Sequence, residues 1–184
     1  MHHTTLSDFL MRAVPDLAKG PLAIILVEDE IEVATTLRHH IQSGFAEVLA
    51  LMPSTMQLPA DLQARVHRID CDFTPEGAAR DAINRIIAGV PGAWMYYCYN
   101  AEYLFFPFCE TRTIRDLLAF HAEERRDAML TYVVDLYALD LTQFPNAVSL
   151  EDAHIDKSGY YALARKDLPH LAGHFRLHGR LYDG

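Results

Sequence analysis

Short apolar runs alternate with amphipathic stretches along this chain. The runs at residues 22–27, 45–51 and 66–73 predict buried strands. After the first run, apolar residues recur at helical spacing from Ile31 until Gly44, where a glycine ends the predicted helix. Alternation of this kind predicts an α/β fold, in which helices wrap a mostly parallel, Rossmann-like sheet.

The rest of the chain extends this pattern. Residues 1–20 predict a helical lead-in, and residues 21–184 predict a single α/β domain. Within that domain the pattern predicts a loop over residues 52–63, a capped helix opening at Thr74-Pro75-Glu76, a helix over residues 113–124 and a strand over residues 131–139.

The segment WMYYCYNAEYLFFP, residues 94–107, is the longest aromatic run, and it predicts one buried strand. Glu102 lies within it, and a buried carboxylate is costly unless it is paired, hydrogen-bonded or bound to a cation. In open α/β sheets, ligands bind in clefts at the carboxyl ends of strands. The sequence therefore leaves two interpretations of Glu102: a structural partner, or a position facing a ligand.

The composition of the chain argues against several classes of function and location. The formal net charge of −9 argues against a nucleic-acid surface, which needs clustered Lys and Arg. Cys71, Cys98 and Cys109 show no CxxC spacing, which favours reduced thiols in a cytoplasmic protein. No apolar run approaches the roughly 20 uncharged residues of a transmembrane helix. We therefore expect no membrane-spanning segment.

The order of motifs resembles the family 2-like glycosyltransferases, which have the nucleotide-diphospho-sugar (GT-A) fold. The chain carries AIILVEDEIEVATTLRHHIQSGF, with Glu28-Asp29-Glu30, His39-His40 and Gly44 in the family's order, and later Glu102-Tyr103-Leu104. The resemblance covers about residues 22–140. It implies transfer of a sugar from a nucleoside-diphosphate-sugar donor to an unknown acceptor.

The chain departs from the family at its metal motif. In the aligned register the two family aspartates fall on Tyr99 and Ala101, which offer no carboxylate. A shift of one residue places Asn100 and Glu102 on one face of the predicted strand, as a weaker site for Mg²⁺ or Mn²⁺. In the family that ion offsets charge on the leaving diphosphate. Three outcomes stay open: a weakened metal site, a metal-independent enzyme, or a non-catalytic relative.

The resemblance also assigns the remaining site residues. Glu28, Asp29 and Glu30 would contact the nucleotide base and ribose, although an acidic cap on the following helix explains them equally well. Tyr99 and Asn100 would lie at the same donor site, where a tyrosine can stack on a base or sugar. Asp135, a lone acid in the predicted strand over residues 131–139, is the candidate base for the acceptor hydroxyl.

Two further interpretations remain. A non-catalytic nucleotide-sugar-binding domain fits the lost aspartates. A receiver-like signalling domain fits ILVEDE with Asp70 or Asp72 as phosphoacceptor, but FHAEERRDAML lacks the lysine that receivers place there. The chain ends soon after the predicted sheet, where the family continues with acceptor-side elements, so we expect a truncated or minimal form.

Overall fold

The structure, a computed structural model, describes residues 1–155 and 176–178. The chain divides into two compact units, Met1–Met129 with Arg176–Gly184, and Leu130–Phe175. The first unit carries the main sheet and its helices.

A central sheet organises the first unit. Its parallel strands follow the order β1-β4-β3-β2-β5, and β9, antiparallel to β5, and then β6 extend it. The strands are β1 (His2–His3), β2 (Leu22–Leu26), β3 (Glu47–Met52), β4 (His67–Asp70), β5 (Met95–Tyr99), β6 (Ala128–Leu130), β7 (Leu136–Ala138), β8 (Ala153–Ile155) and β9 (Arg176–His178). The predicted α/β fold with a mostly parallel sheet is confirmed.

Helices cover both faces of this sheet, namely α1 (Leu6–Arg12), α2 (Val33–Gln42), α3 (Ala60–Gln63), α4 (Ala78–Gly89) and α5 (Ile114–Glu123). Alternate residues of β2, including Ile24, face one core with Phe9 of α1 and Ile86 of α4. On the opposite face, Cys98 of β5 contacts His40 of α2. Every residue of β2 is buried, as expected for a central parallel strand.

The end of α2 is joined to the start of α5. Ile114 N donates to Ser43 O over 2.8 Å, and Thr113 caps α5 through a reciprocal capping box with Asp116. Gly44 follows α2 with φ of +91°, and a Cβ built there would lie 2.8 Å from Thr113 Cβ. Glycine is therefore needed here both for its conformation and for the close approach.

In the second unit, the described residues form a two-stranded antiparallel sheet of β7 and β8. Leu136 pairs with Ile155, and Ala138 pairs with Ala153. The predicted strand over residues 131–139 is wrong in its bounds, since residues 131–135 have no regular secondary structure. Most side chains in this stretch are exposed, so local apolar character was not enough to form a strand there.

Four other predicted elements need correction. The predicted strand over residues 94–107 ends at Tyr99, because the chain turns at Asn100 and Ala101. The predicted loop over residues 52–63 contains α3, and the predicted helical lead-in begins with β1. α4 starts at Ala78 after an N-cap at Gly77 rather than at a Thr74 cap, since Asp72 Oδ1 accepts the Thr74 N–H in a local turn. No helix in residues 1–155 or 176–178 is long and apolar enough to cross a membrane.

Candidate functional site

The strand order defines one edge of the sheet as the place for a ligand. From β2 the chain moves to β3 on one side, whereas β5 pairs with β2 on the other side. The carboxyl ends of β2 and β5 are therefore neighbours at a point where the strand order reverses. Open α/β sheets bind ligands in the crevice outside such a point. Residues 27–32 follow β2, and residues 100–104 follow β5.

Asn100 joins these two segments through its side-chain amide. Its Oδ1 accepts the backbone N–H of Glu28 over 3.0 Å. Its Nδ2 donates to Asp29 Oδ1 over 2.6 Å and to Ile31 O over 2.9 Å. The backbone N–H of Asn100 also donates to Leu26 O over 3.1 Å. One side chain at the end of β5 thus holds the loop that follows β2.

The acidic run after β2 is a solvent-facing loop. Glu28, Asp29 and Glu30 are all exposed. Asp29 Oδ1 accepts the Ile31 N–H over 2.8 Å, which closes a tight turn. The alternative interpretation of this run as a helix cap is wrong, because α2 starts later, at an N-cap on Glu32 without a side-chain cap bond. The three carboxylates lie at the edge formed by the carboxyl ends of β2 and β5.

Side chains of α2 hold the segment that follows β5. Thr36 is fully buried, and its Oγ1 accepts the Ala101 N–H over 2.9 Å while donating to Glu32 O over 2.7 Å. One turn further along α2, His39 Nε2 lies 2.8 Å from Leu104 O. Because a carbonyl oxygen only accepts, Nε2 carries the proton in this contact.

Ala101 adopts a backbone conformation that few residues other than glycine take. Its φ is +61°, in the left-handed region, where an alanine costs about 1–2 kcal/mol. The hydrogen bond to the Thr36 hydroxyl and the hydrogen bonds of the neighbouring Asn100 side-chain amide stabilise this turn. Strained turns that the surroundings enforce are concentrated at functional sites, which is consistent with a role for this edge.

His40 anchors the same helix in the core below the edge. It is fully buried, its Nδ1 donates to Thr36 O over 2.8 Å, and its Nε2 lies 3.8 Å from Cys98 Sγ. Its ring stacks on Tyr96 with centroids 5.4 Å apart. Burial lowers the pKa of His40 to about 4, so it is neutral at pH 7. His39 and His40 therefore have structural roles.

Glu102 does not share a strand face with Asn100, contrary to the prediction. The strand has already ended, and Glu102 Oε2 accepts the Tyr99 N–H over 2.8 Å across the turn. Tyr99 itself is 38% exposed. Burial, followed by the charges of Glu28 and Glu102, raises the pKa of the Tyr99 hydroxyl, so this group stays protonated at neutral pH.

The predicted metal pair, Asn100 with Glu102, does not fit a divalent ion in this arrangement. The amide oxygen of Asn100 and one oxygen of Glu102 already accept backbone N–H groups. Hard cations need several oxygens turned toward one point. Among the residues that the structure describes, no group of three or more His, Cys, Asp or Glu side chains could hold a metal ion.

Asp135, the predicted catalytic base, belongs to the second unit. It lies in an exposed stretch without regular secondary structure, so the expected lone acid in a buried strand was wrong. Its role as a base stays a prediction.

Sequence reasoning missed Thr36, which organises the turn after β5. The available signal was its spacing, since Thr36 precedes His40 by four residues and so shares its buried helix face. A threonine on a buried face must satisfy its hydroxyl, which marks it as a hydrogen-bonding position.

Comparison of the chain with known proteins finds no matching family model, no matching curated protein and no matching solved structure.

Proposed function

We propose that the edge formed by the carboxyl ends of β2 and β5 binds a nucleoside-diphosphate sugar, and that the chain transfers the sugar to an acceptor. The supporting observation is the reversal of strand order between β2 and β5, with both following segments joined by Asn100. Such a crevice is where α/β proteins bind nucleotides. The motif resemblance supports the sugar donor.

Each exposed group at the edge has chemistry suited to a nucleoside. Carboxylates accept hydrogen bonds from ribose hydroxyls, as acidic residues do in dinucleotide-binding folds. Glu28, Asp29 and Glu30 are exposed there. Tyr99 is partly exposed at the end of β5, where its ring can stack on a base. The same acids repel a diphosphate, so the ribose side of the ligand belongs nearest to them.

A second candidate function is nucleotide-sugar binding without transfer. Transfer needs the charge of the departing nucleoside diphosphate to be offset, and a divalent ion commonly does this. The hydrogen bonds of Asn100 and Glu102 favour this candidate, because they occupy the oxygens that would hold the ion.

The strand order argues against a receiver-like domain. Flavodoxin-like sheets, the receiver type, place the first and third strands next to each other. Here β3 lies between β2 and β4, so Asp70 at the end of β4 is not beside the acidic loop after β2. Asp70 instead lies 3.2 Å from Arg68 and 3.0 Å from His2.

Calorimetric titration with UDP and with GDP tests the proposed binding. We expect one nucleotide to bind, and Tyr99→Ala to weaken it about tenfold, the loss of one stacking contact. Phe120→Ala, an exposed aromatic side chain on α5, is the matched control and should bind as the wild type does. Absence of binding to both nucleotides would contradict the proposed function.

Turnover then separates the two candidates. Incubation with UDP-sugars and GDP-sugars, followed by chromatographic detection of released nucleoside diphosphate, reports transfer or hydrolysis. Release above the no-protein rate supports the transferase. Tight binding without release supports the binding domain.

A further inference from the structure

We infer that the Asn100 amide occupies the place that a divalent cation would take between the two loops, so that this edge works without Mg²⁺ or Mn²⁺. The inference extends the proposed function, on which it rests for the identity of the ligand.

The amide nitrogen of Asn100 makes the contacts that a cation would make. It lies 2.6 Å from Asp29 Oδ1 and 2.9 Å from Ile31 O, two oxygens of the loop after β2. Its two N–H groups direct positive charge at both oxygens. A bound cation would attract the same carboxylate and the same carbonyl.

The orientation of this amide follows from its neighbours. Oδ1 faces a donor, the Glu28 N–H, whereas Nδ2 faces two acceptors. Exchanging the nitrogen and oxygen would set an oxygen against Asp29 Oδ1 and a nitrogen against an N–H group. The hydrogen-bond network therefore requires the nitrogen to lie between the oxygens.

An amide in this position competes with a metal ion. An amide nitrogen carries hydrogens toward the loop oxygens and offers no ligand atom to a hard cation. Asp29 Oδ1 already accepts from both Asn100 and the Ile31 N–H. Binding an ion here would require these bonds to break. The wild-type loops are thus joined without one.

The isosteric change Asn100→Asp should turn the attraction between this side chain and the loop oxygens into repulsion. It replaces the donor nitrogen with a carboxylate oxygen close to Asp29 Oδ1 and Ile31 O. Two carboxylates this close repel each other unless a proton or a cation lies between them. We therefore expect Asn100→Asp to create affinity for Mn²⁺ that the wild type lacks.

The test uses the full chain with Mn²⁺ alone and then with UDP and GDP. Mn²⁺ titrations by calorimetry and by electron paramagnetic resonance should show Asn100→Asp binding at least about tenfold tighter than the wild type. The matched control is Asn84→Asp, the same change at an exposed position of α4, which should behave as the wild type. Nucleotide affinity of the wild type should agree within about twofold in EDTA and in Mn²⁺.

Three results would overturn the inference. The first is wild-type binding of Mn²⁺ as tight as that of Asn100→Asp, and the second is nucleotide binding that requires the ion. The third is a folded Asn100→Asp protein with no gain in Mn²⁺ affinity. If that variant does not fold, two wild-type measurements still test the inference: the Mn²⁺ titration by electron paramagnetic resonance, and the comparison of nucleotide affinity in EDTA and in Mn²⁺. Failure of both nucleotides to bind would instead contradict the proposed function, and the Mn²⁺ titrations would still judge the inference.

Discussion

Asn100 and Asp29 are 71 positions apart in the chain, and a 2.6 Å hydrogen bond from Asn100 Nδ2 to Asp29 Oδ1 joins them. The same amide contacts Glu28 and Ile31, so one residue connects the ends of two neighbouring strands. The shape of the candidate site therefore depends on a polar contact between loops as well as on the buried core.

Removal of this amide should destabilise the fold and loosen the site. Asn100→Ala deletes three side-chain hydrogen bonds, each worth about 0.5–1.5 kcal/mol, so we expect a loss of about 1.5–4.5 kcal/mol in the free energy of unfolding. Urea denaturation measures it. Asn84→Ala on the exposed face of α4 is the control, and an equal, small effect of both changes would contradict the role of Asn100.

The Thr36 hydroxyl should matter more than its size suggests. Thr36→Val keeps the shape but leaves the Ala101 N–H without its 2.9 Å acceptor, at a cost of about 1–3 kcal/mol. We also expect weaker nucleotide binding, since the turn after β5 loses its anchor on α2. Thr55→Val, at an exposed position, is the control for urea denaturation and for calorimetry. Unchanged stability of Thr36→Val would show that the turn after β5 does not need the hydrogen bond to Thr36.

His40 should make stability fall on acidification. Its pKa is about 4 in the folded protein against 6.5 for the free side chain, because burial disfavours the charged ring. Between pH 4 and pH 6.5, His40 therefore binds a proton in the unfolded chain but not in the folded chain. This contribution to stability is complete above pH 6.5 and is lost as the pH falls toward 4, by up to about 1.4 kcal/mol per pH unit.

Urea denaturation between pH 4.5 and 7.5 measures this dependence. His40→Phe removes the titrating group. The slope of the free energy of unfolding against pH should then fall by up to the contribution of one proton, about 1.4 kcal/mol per pH unit. Other groups keep titrating in both proteins, so the difference between the two slopes is the diagnostic quantity. Identical slopes would mean that His40 can accept a proton without unfolding the core.

Gly44 should be intolerant of a side chain for two separable reasons. Gly44→Ala forces a left-handed φ of +91° on alanine and brings its Cβ to 2.8 Å from Thr113 Cβ. Gly92 has a similar φ of +79°, but a Cβ there meets nothing within 4 Å. Gly92→Ala therefore shows only the conformational cost, about 1–2 kcal/mol. Thermal denaturation should show a larger loss for Gly44→Ala, and equal losses would rule out the contact with Thr113.

The central strands of the sheet could be predicted because their signals are local. The apolar run of β2 is buried at every position, and the helical spacing before Gly44 corresponds to α2. The α5 N-terminus was equally readable, since Thr113 and Asp116 form a reciprocal cap within four residues. Where the pattern carried no such stop, as after Tyr99, the predicted strand continued too far.

The candidate site could be predicted only in outline. The motif resemblance assigned Glu28, Asp29 and Glu30, after the first strand, and Tyr99 and Asn100, within the predicted aromatic strand, to one donor site. In the structure that strand ends at Tyr99, and Asn100 contacts the acidic loop after β2. The sequence did not show that Asn100 would point its amide at the acidic loop, or that Glu102 would accept the Tyr99 N–H. Sugar transfer and metal dependence stay predictions.

The chain by itself determined the buried strand β2 and the helices α2 and α5, because their apolar runs, helical spacing and caps depend on neighbouring residues. Only the tertiary structure decided what Asn100 does. Its partners lie about 70 positions away, and they reach it because β2 and β5 pair in parallel and end side by side. A hydrogen bond acts over about 3 Å, so its partners are set by where the backbone goes and not by local sequence.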